Sequence, residues 1–276
     1  MRTLPRWSIW LLWSLSIVAA SIVAAVLAHE TGTNHPALFG IGFGALCAIG
    51  TIHAIWTVFG PLALITRVPL ALLIQSAVVV AVAAVEGGVH YGIEFVGLFG
   101  GFLFGQYFLA QLPLWFIALR WRARIASGTM QPGTLAQPDL QFQIRHVMIL
   151  TAGVAIALGA ARGLIQIGDL RTSWPEMQLV RVIAFLVLCN TTIVLPIAVA
   201  ALIRRRALLA SAVAWTLVFL ATIVEVPTFL LVRGVGATTH ELWFVFWAMN
   251  LTQATWVFLS MGILRLGGYR LEIRPP

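Results

Sequence analysis

Lysine is missing altogether from the 276 residues, and charge of either sign is scarce: aspartate, glutamate and arginine together make up 9% of the chain. A soluble domain carries about 25% charged residues, so this composition excludes an ordinary soluble fold. Cysteine is almost absent too. The two present, Cys47 and Cys189, both sit inside apolar runs, which excludes a disulfide framework or a cysteine-based metal centre. Catalytic signatures are equally thin. There is no Gly-x-Ser-x-Gly elbow and no Cys–His pair at useful spacing. The stretches HETGTNH from His29 and HEL from His240 lack the second histidine that a zinc-protease helix needs, because Thr33 and Phe244 stand at the required positions. GIGFGALCAIG, from Gly40 to Gly50, follows no strand and lies in an apolar run, so it is not a dinucleotide loop. The residues give no reason to expect a catalytic group, a cofactor or a metal, and an enzyme is the least favoured class.

What the chain does have is long hydrophobic runs, with 61% hydrophobic residues. A bilayer core needs roughly 20 consecutive apolar residues per helix. Eight segments meet that length: 7–28, 37–59, 68–89, 95–119, 147–168, 177–203, 207–233 and 242–264. The short alternating segments of a transmembrane β-barrel are not found. The expected fold is therefore an all-α integral membrane protein, a bundle of about eight transmembrane helices with membrane lipids as its surroundings. The first run could also be read as a secretory signal. Its length and the even helix count favour a retained span instead.

The net charge of +8 would suggest nucleic acid in a soluble protein, but the positions of the arginines give another reason for it. Arg2, Arg6, Arg67, Arg120, Arg122, Arg124, Arg145, Arg204, Arg205, Arg206, Arg265, Arg270 and Arg274 all fall at the same ends of the expected spans. Most acids fall at the other: Glu30, Glu86, Glu94, Asp169, Glu176, Glu225 and Glu241. That is the positive-inside pattern. It predicts a bacterial inner-membrane protein with both termini in the cytoplasm and no nucleic-acid partner.

Residues 120–146, rich in Gly, Pro, Ser and Gln, read as a cytoplasmic linker between a first half, 1–119, and a second, 147–276, with four helices in each. Adding 139 carries Arg6 to Arg145, Glu30 to Asp169, Arg67 to Arg206 and Glu86 to Glu225; adding 142 carries Cys47 to Cys189 and Gln111 to Gln253. Two explanations stand: a parallel four-plus-four duplication, or evenly spaced helices that place like charges at like ends. The stretch QFQIRHVMILTAGVAIALGAARG, Gln141 to Gly163, and the closing LRLGGYRLEIR, Leu264 to Arg274, resemble segments of uncharacterised multi-pass membrane proteins of planctomycete-type bacteria. In that group a Gln-Phe-x-Ile/Leu-Arg lead-in runs into an apolar helix. The resemblance implies a membrane-spanning fold and carries no function over.

Two sets of residues stand out within the spans. Gly40 and Gly44, and Gly97, Gly101 and Gly105, recur at four-residue spacing, which puts each set on one helix face and suits close helix packing. The second set is polar. Glu225 and Arg162 lie roughly 27 Å and 22 Å along their helices, at similar depth in the outer leaflet. A charge facing lipid there costs several kcal/mol, so the two are expected to pair, with Arg181 and Arg233 as further candidates for the same carboxylate. Asn190 and Thr191 lie near mid-membrane, and Asn250 and Gln253, three apart, share a face. As interhelical glue, this set makes the protein a non-enzymatic membrane component with a packing or scaffolding role. As a solute site between broken helices, it makes the protein a small-solute transporter.

Overall fold

The computed structural model describes residues 35–60, 64–85, 89–120, 124–127, 176–202, 207–233 and 239–272, together with the helical positions Trp13, Ser16, Ala19, Val23 and Val26. The expected span 147–168, Arg162, most of the first span and residues 128–146 of the linker lie outside the described residues.

Among the described residues, six helices follow from the apolar runs: α1 Pro36–Phe59, α2 Leu64–Val85, α3 Val89–Arg120, α4 Glu176–Leu202, α5 Ala207–Arg233 and α6 Thr239–Leu266. All six are long and apolar enough to cross a membrane. In hydrocarbon no water is available to backbone groups, so a run of this kind must satisfy them within itself, as a helix does. Pro36 opens α1, where its missing N–H leaves no bond unmade. Gly60 ends α1 in an extended conformation and donates to Trp56 O at 2.7 Å; Pro61 follows and disfavours a helical residue before it. Expected and observed boundaries differ most at α2 and α3. These begin at Leu64 and Val89 because they take in Arg67 and the polar turn with His90 and Glu94, which hydropathy alone leaves out.

Cross-helix neighbours fix the directions. Phe43 meets Phe102 and Thr51 meets Gln106, so α1 and α3 run parallel. Gly40 lies at Val245 and Gly44 at Met249, so α1 and α6 are parallel as well. Phe229 meets Phe246, Asn250 meets Thr222 and Trp215 meets Phe258, so α5 and α6 are antiparallel. The short connections 61–63, 86–88 and 203–206 make α2 antiparallel to α1 and α3, and α4 antiparallel to α5. Hence α1, α3, α4 and α6 all point one way. They form a ring, α1 on α3, α3 on α4, α4 on α6 and α6 on α1. Outside it, α2 lies across the α1/α3 edge and α5 across the α4/α6 edge. The main core fills the ring with Ile49, Ile52, Leu103, Ile197, Val257 and Met261.

The α1–α6 contact is the tightest, and two glycines make it possible. A Cβ on Gly40 would lie 2.9 Å from Ala248 Cβ, and one on Gly44 would lie 2.9 Å from Met249 Cα, with the Val245 and Met249 carbonyl oxygens closer still. In a bilayer lipid tails are as apolar as leucine, so helices associate through such close packing rather than by apolar transfer. Among the described residues, Gly101 and Gly105 do not make a comparable approach. A Cβ on Gly101 would meet no described atom within 4 Å, one on Gly105 would make an ordinary 3.4 Å contact with Val187 Cγ2, and the surroundings of Gly97 lie outside the described residues.

The outer face of α5 exposes Leu208, Val213, Leu217, Leu220, Val224 and Leu231. An apolar stripe of that length belongs against lipid. One feature departs from the all-α expectation. Arg124–Ser127 (β1) pairs antiparallel with Tyr269–Glu272 (β2), Arg124 opposite Glu272 and Ser127 opposite Tyr269. The start of the stretch read as a linker is thus tied by a short ribbon to the segment after α6. The turn before β2 places Gly268 at φ 81°, a left-handed conformation that glycine adopts without strain.

Candidate functional site: a buried polar network

The helix ring and its two flanking helices bury polar side chains that lipid could not accommodate. On α6, Asn250 and Gln253 are both fully buried and face two different helices. Asn250 Nδ2 donates to Glu225 Oε2 at 2.6 Å and to Thr222 Oγ1 at 2.9 Å, both on α5 and three residues apart. Thr222 Oγ1 in turn donates to Val218 O at 2.8 Å. Gln253 Nε2 turns the other way and donates to Thr51 Oγ1 of α1 at 3.4 Å.

Thr51 is the junction. Its hydroxyl donates to Cys47 O at 3.2 Å, and its lone pairs accept from Gln253 and from Gln106 Nε2 of α3 at 3.0 Å. Gln106 Nε2 also reaches Cys47 O at 3.0 Å. One threonine thus links α1, α3 and α6. Replacing it by valine keeps the shape and removes two interhelical acceptor contacts. Such bonds average about 0.6 kcal/mol each in a membrane protein, so Thr51→Val is expected to cost about 1–2 kcal/mol in reversible unfolding. Thr192→Val, at an exposed position whose hydroxyl bonds only Leu188 O of its own helix, is the matched control and is expected to change little.

A second set lies at the end where α1 finishes. Arg67 is buried and donates from Nη1 to Trp56 O at 3.2 Å, so it caps the last carbonyls of α1 rather than extending into solvent. Tyr107 Oη and Thr57 Oγ1 bond at 3.0 Å, and Gln111 Nε2 donates to Tyr107 O at 3.3 Å. Trp13 packs its ring 6.3 Å from that of Trp56.

Of the residues singled out in the sequence, Glu225 and Asn250 are in direct contact, and Gln253 joins a separate branch through Thr51. Asn190 is fully buried and donates to Leu186 O of its own helix at 2.8 Å, while Thr191 is buried and its hydroxyl has no partner among the described residues. Arg162 lies outside the described residues. Thr51, Gln106 and Thr222 carry the network and were not expected. Their signal was the general one, a polar side chain inside an apolar span. His53 and Gln75, fully buried with no hydrogen-bond partner for their side chains among the described residues, carry the same signal. Both cysteines are free, and among the described residues no three His, Cys, Asp or Glu side chains gather as metal ligands. His240 is exposed and stacks on Phe244.

The network has a consistent polarity. Among the described residues, the amide nitrogen of Gln106, Asn190, Asn250 and Gln253 is bonded and the oxygen has no donor, and Glu225 Oε1 is likewise without one. The orientations are dictated by chemistry. Each nitrogen faces a carbonyl, a carboxylate or a hydroxyl already committed as donor, so turning the amide would set oxygen against oxygen. Among the described residues, what the site lacks is donors or positive charge. Comparison with protein-family models, curated proteins and solved structures finds no match for this chain. Fold and site together define a class: an apolar helical bundle, compatible with a bilayer, built around a buried polar network.

Proposed function

We propose that the chain is an eight-span protein of the bacterial inner membrane, with both termini cytoplasmic, and that it serves as a non-enzymatic membrane component whose polar core holds its helices in register. The observation that carries this reading is that the network's bonds cross between helices. Asn250 joins α6 to α5, and Thr51 joins α1 to α3 and α6. Bonds of this kind specify which helices meet and at what depth.

The parallel course of α3 and α4 supports a further crossing between them, where 147–168 is the apolar run available. The neighbour pattern supports the four-plus-four duplication, because it is unchanged when α1 is exchanged with α4, α2 with α5 and α3 with α6. Charge placement supports the orientation. Arg67, Arg120, Arg124, Arg265 and Arg270 lie at the end where α1, α3, α4 and α6 finish, and Glu176 and Glu241 at the end where α4 and α6 begin. Reporter fusions at Met130 and after Pro276 are expected to read cytoplasmic, and one at Ala237 external. An external reading after Pro276 would remove the even span count.

The unpartnered oxygens favour a second reading, a small-solute transporter with its site in the second half around Glu225, Arg162, Asn190, Thr191, Asn250 and Gln253. Discontinuity is available there, since Pro196 and Pro227 each remove a backbone donor within α4 and α5. Variants of Thr51 and Asn250 separate the two readings. Lost stability with no lost uptake of any solute supports register; lost uptake at retained stability supports transport.

A further inference from the structure

We propose that Glu225 and Asn250 form a monovalent-cation site between α5 and α6, in which Glu225 Oε1 and Asn250 Oδ1 together hold one positive charge, an alkali metal ion or a proton. Glu225 is 3% exposed in a helix long and apolar enough to span a bilayer, where an uncompensated carboxylate costs several kcal/mol. An ionised carboxylate can accept about four hydrogen bonds; among the described residues Glu225 receives one, from Asn250, and no cation reaches it. Among the described residues, the other titratable groups within electrostatic reach are the Cys47 thiol of α1 and the Cys189 thiol of α4. Neither brings positive charge.

The oxygens identify the occupant. Asn250 spends its nitrogen on Glu225 Oε2 and Thr222 Oγ1, so its unpartnered oxygen belongs to the same side-chain pair as the unpartnered Glu225 Oε1. A carboxylate oxygen and an amide oxygen make a hard donor set, suited to ions such as sodium or potassium rather than to soft metals. One carboxylate neutralises one charge. A divalent ion would leave net charge in a low-dielectric interior. A proton on Glu225 Oε1 meets the same need differently: the acid donates to Asn250 Oδ1 while the amide donates back, and both unpartnered oxygens become bonded. The site does not depend on whether the protein is a scaffold or a transporter.

The test is thermal unfolding of the full-length protein in detergent at constant ionic strength. Choline chloride is replaced by sodium or potassium chloride, and the series is repeated from acidic to alkaline pH. If an alkali ion binds, the midpoint rises by several degrees, saturably, with sodium or potassium. If a proton is the occupant, alkali ions change nothing and the midpoint falls as pH rises, since the folded state then holds a proton that the unfolded chain releases. Either response must vanish in Glu225→Gln, whose amide oxygen still accepts from Asn250 and preserves the fold, and must weaken in Asn250→Ala. A wild type indifferent to both ions and pH overturns the proposal. So does a response that persists in Glu225→Gln, or an ion dependence that appears only in Arg162→Gln, which would give the compensating charge to the arginine.

Discussion

Gly44→Leu is expected to leave little folded, monodisperse protein after detergent extraction, whereas Gly101→Ala behaves as wild type. Even a methyl group at Gly44 would sit 2.9 Å from Met249 Cα and closer to the Met249 carbonyl, and no rotamer change relieves a clash with backbone. Overpacking typically costs about 1–3 kcal/mol where side chains can yield. Here α1 would have to withdraw from α6, and with it the Gln253–Thr51 bond would open. Helix propensity works the other way, because alanine gains up to about 1 kcal/mol over glycine inside a helix. The steric term is the larger, so Gly44→Ala should already melt lower by something on the order of 10 °C. Gly101→Ala keeps the propensity gain with no described residue in its way. Equal midpoints for the two alanine variants would show that α1 and α6 do not meet as described.

That pair of glycines shows how far the sequence could be read. Four-residue spacing marks a face on which another backbone could approach, and both Gly40/Gly44 and Gly97/Gly101/Gly105 have it. Which face is used depends on the rotation of each helix in the bundle, and that is set by contacts distant in sequence. The six described spans were legible because a bilayer leaves an apolar run of this length no alternative to a helix. Their ends were less so where Arg67 or the His90–Glu94 turn continues a helix beyond its hydrophobic stretch. The ribbon was not legible at all: Arg124–Ser127 is four residues in a polar stretch, paired with a segment at the far end of the chain. Within the site, the shared face of Asn250 and Gln253 followed from their spacing, but not that they would turn to different helices. Depth suggests Arg162 as the partner of Glu225, and Arg162 lies outside the described residues; the uncharged amide of Asn250 one helix away meets part of the same need. The partners of Thr51 and Gln106 are likewise uncharged, so neither depth nor opposite charge marks them in the sequence.

Asn250→Leu is expected to be among the most destabilising single changes in the second half, and its cost should largely disappear when Glu225→Leu is added. Asn250 makes the one hydrogen bond described for the Glu225 carboxylate, at 2.6 Å, and it also bonds Thr222. The neutral bond is worth about 0.6 kcal/mol on the membrane-protein scale. A hydrogen bond to a charged group contributes about 1.5–3 kcal/mol, and a buried charge left without its partner costs about 3–5 kcal/mol. The charged bond therefore decides the outcome, and Asn250→Leu should cost about 3 kcal/mol in reversible unfolding. Replacing both partners by apolar groups is often close to neutral, because no carboxylate remains to be compensated. The cycle should then show a coupling of about 2 kcal/mol, well above the few tenths expected of independent sites. Thr222→Val in the Asn250→Leu background should add little, since the bond it would remove is already gone. If Asn250→Leu and Glu225→Leu add without coupling, the carboxylate is compensated elsewhere, and the α5–α6 pair is packing alone.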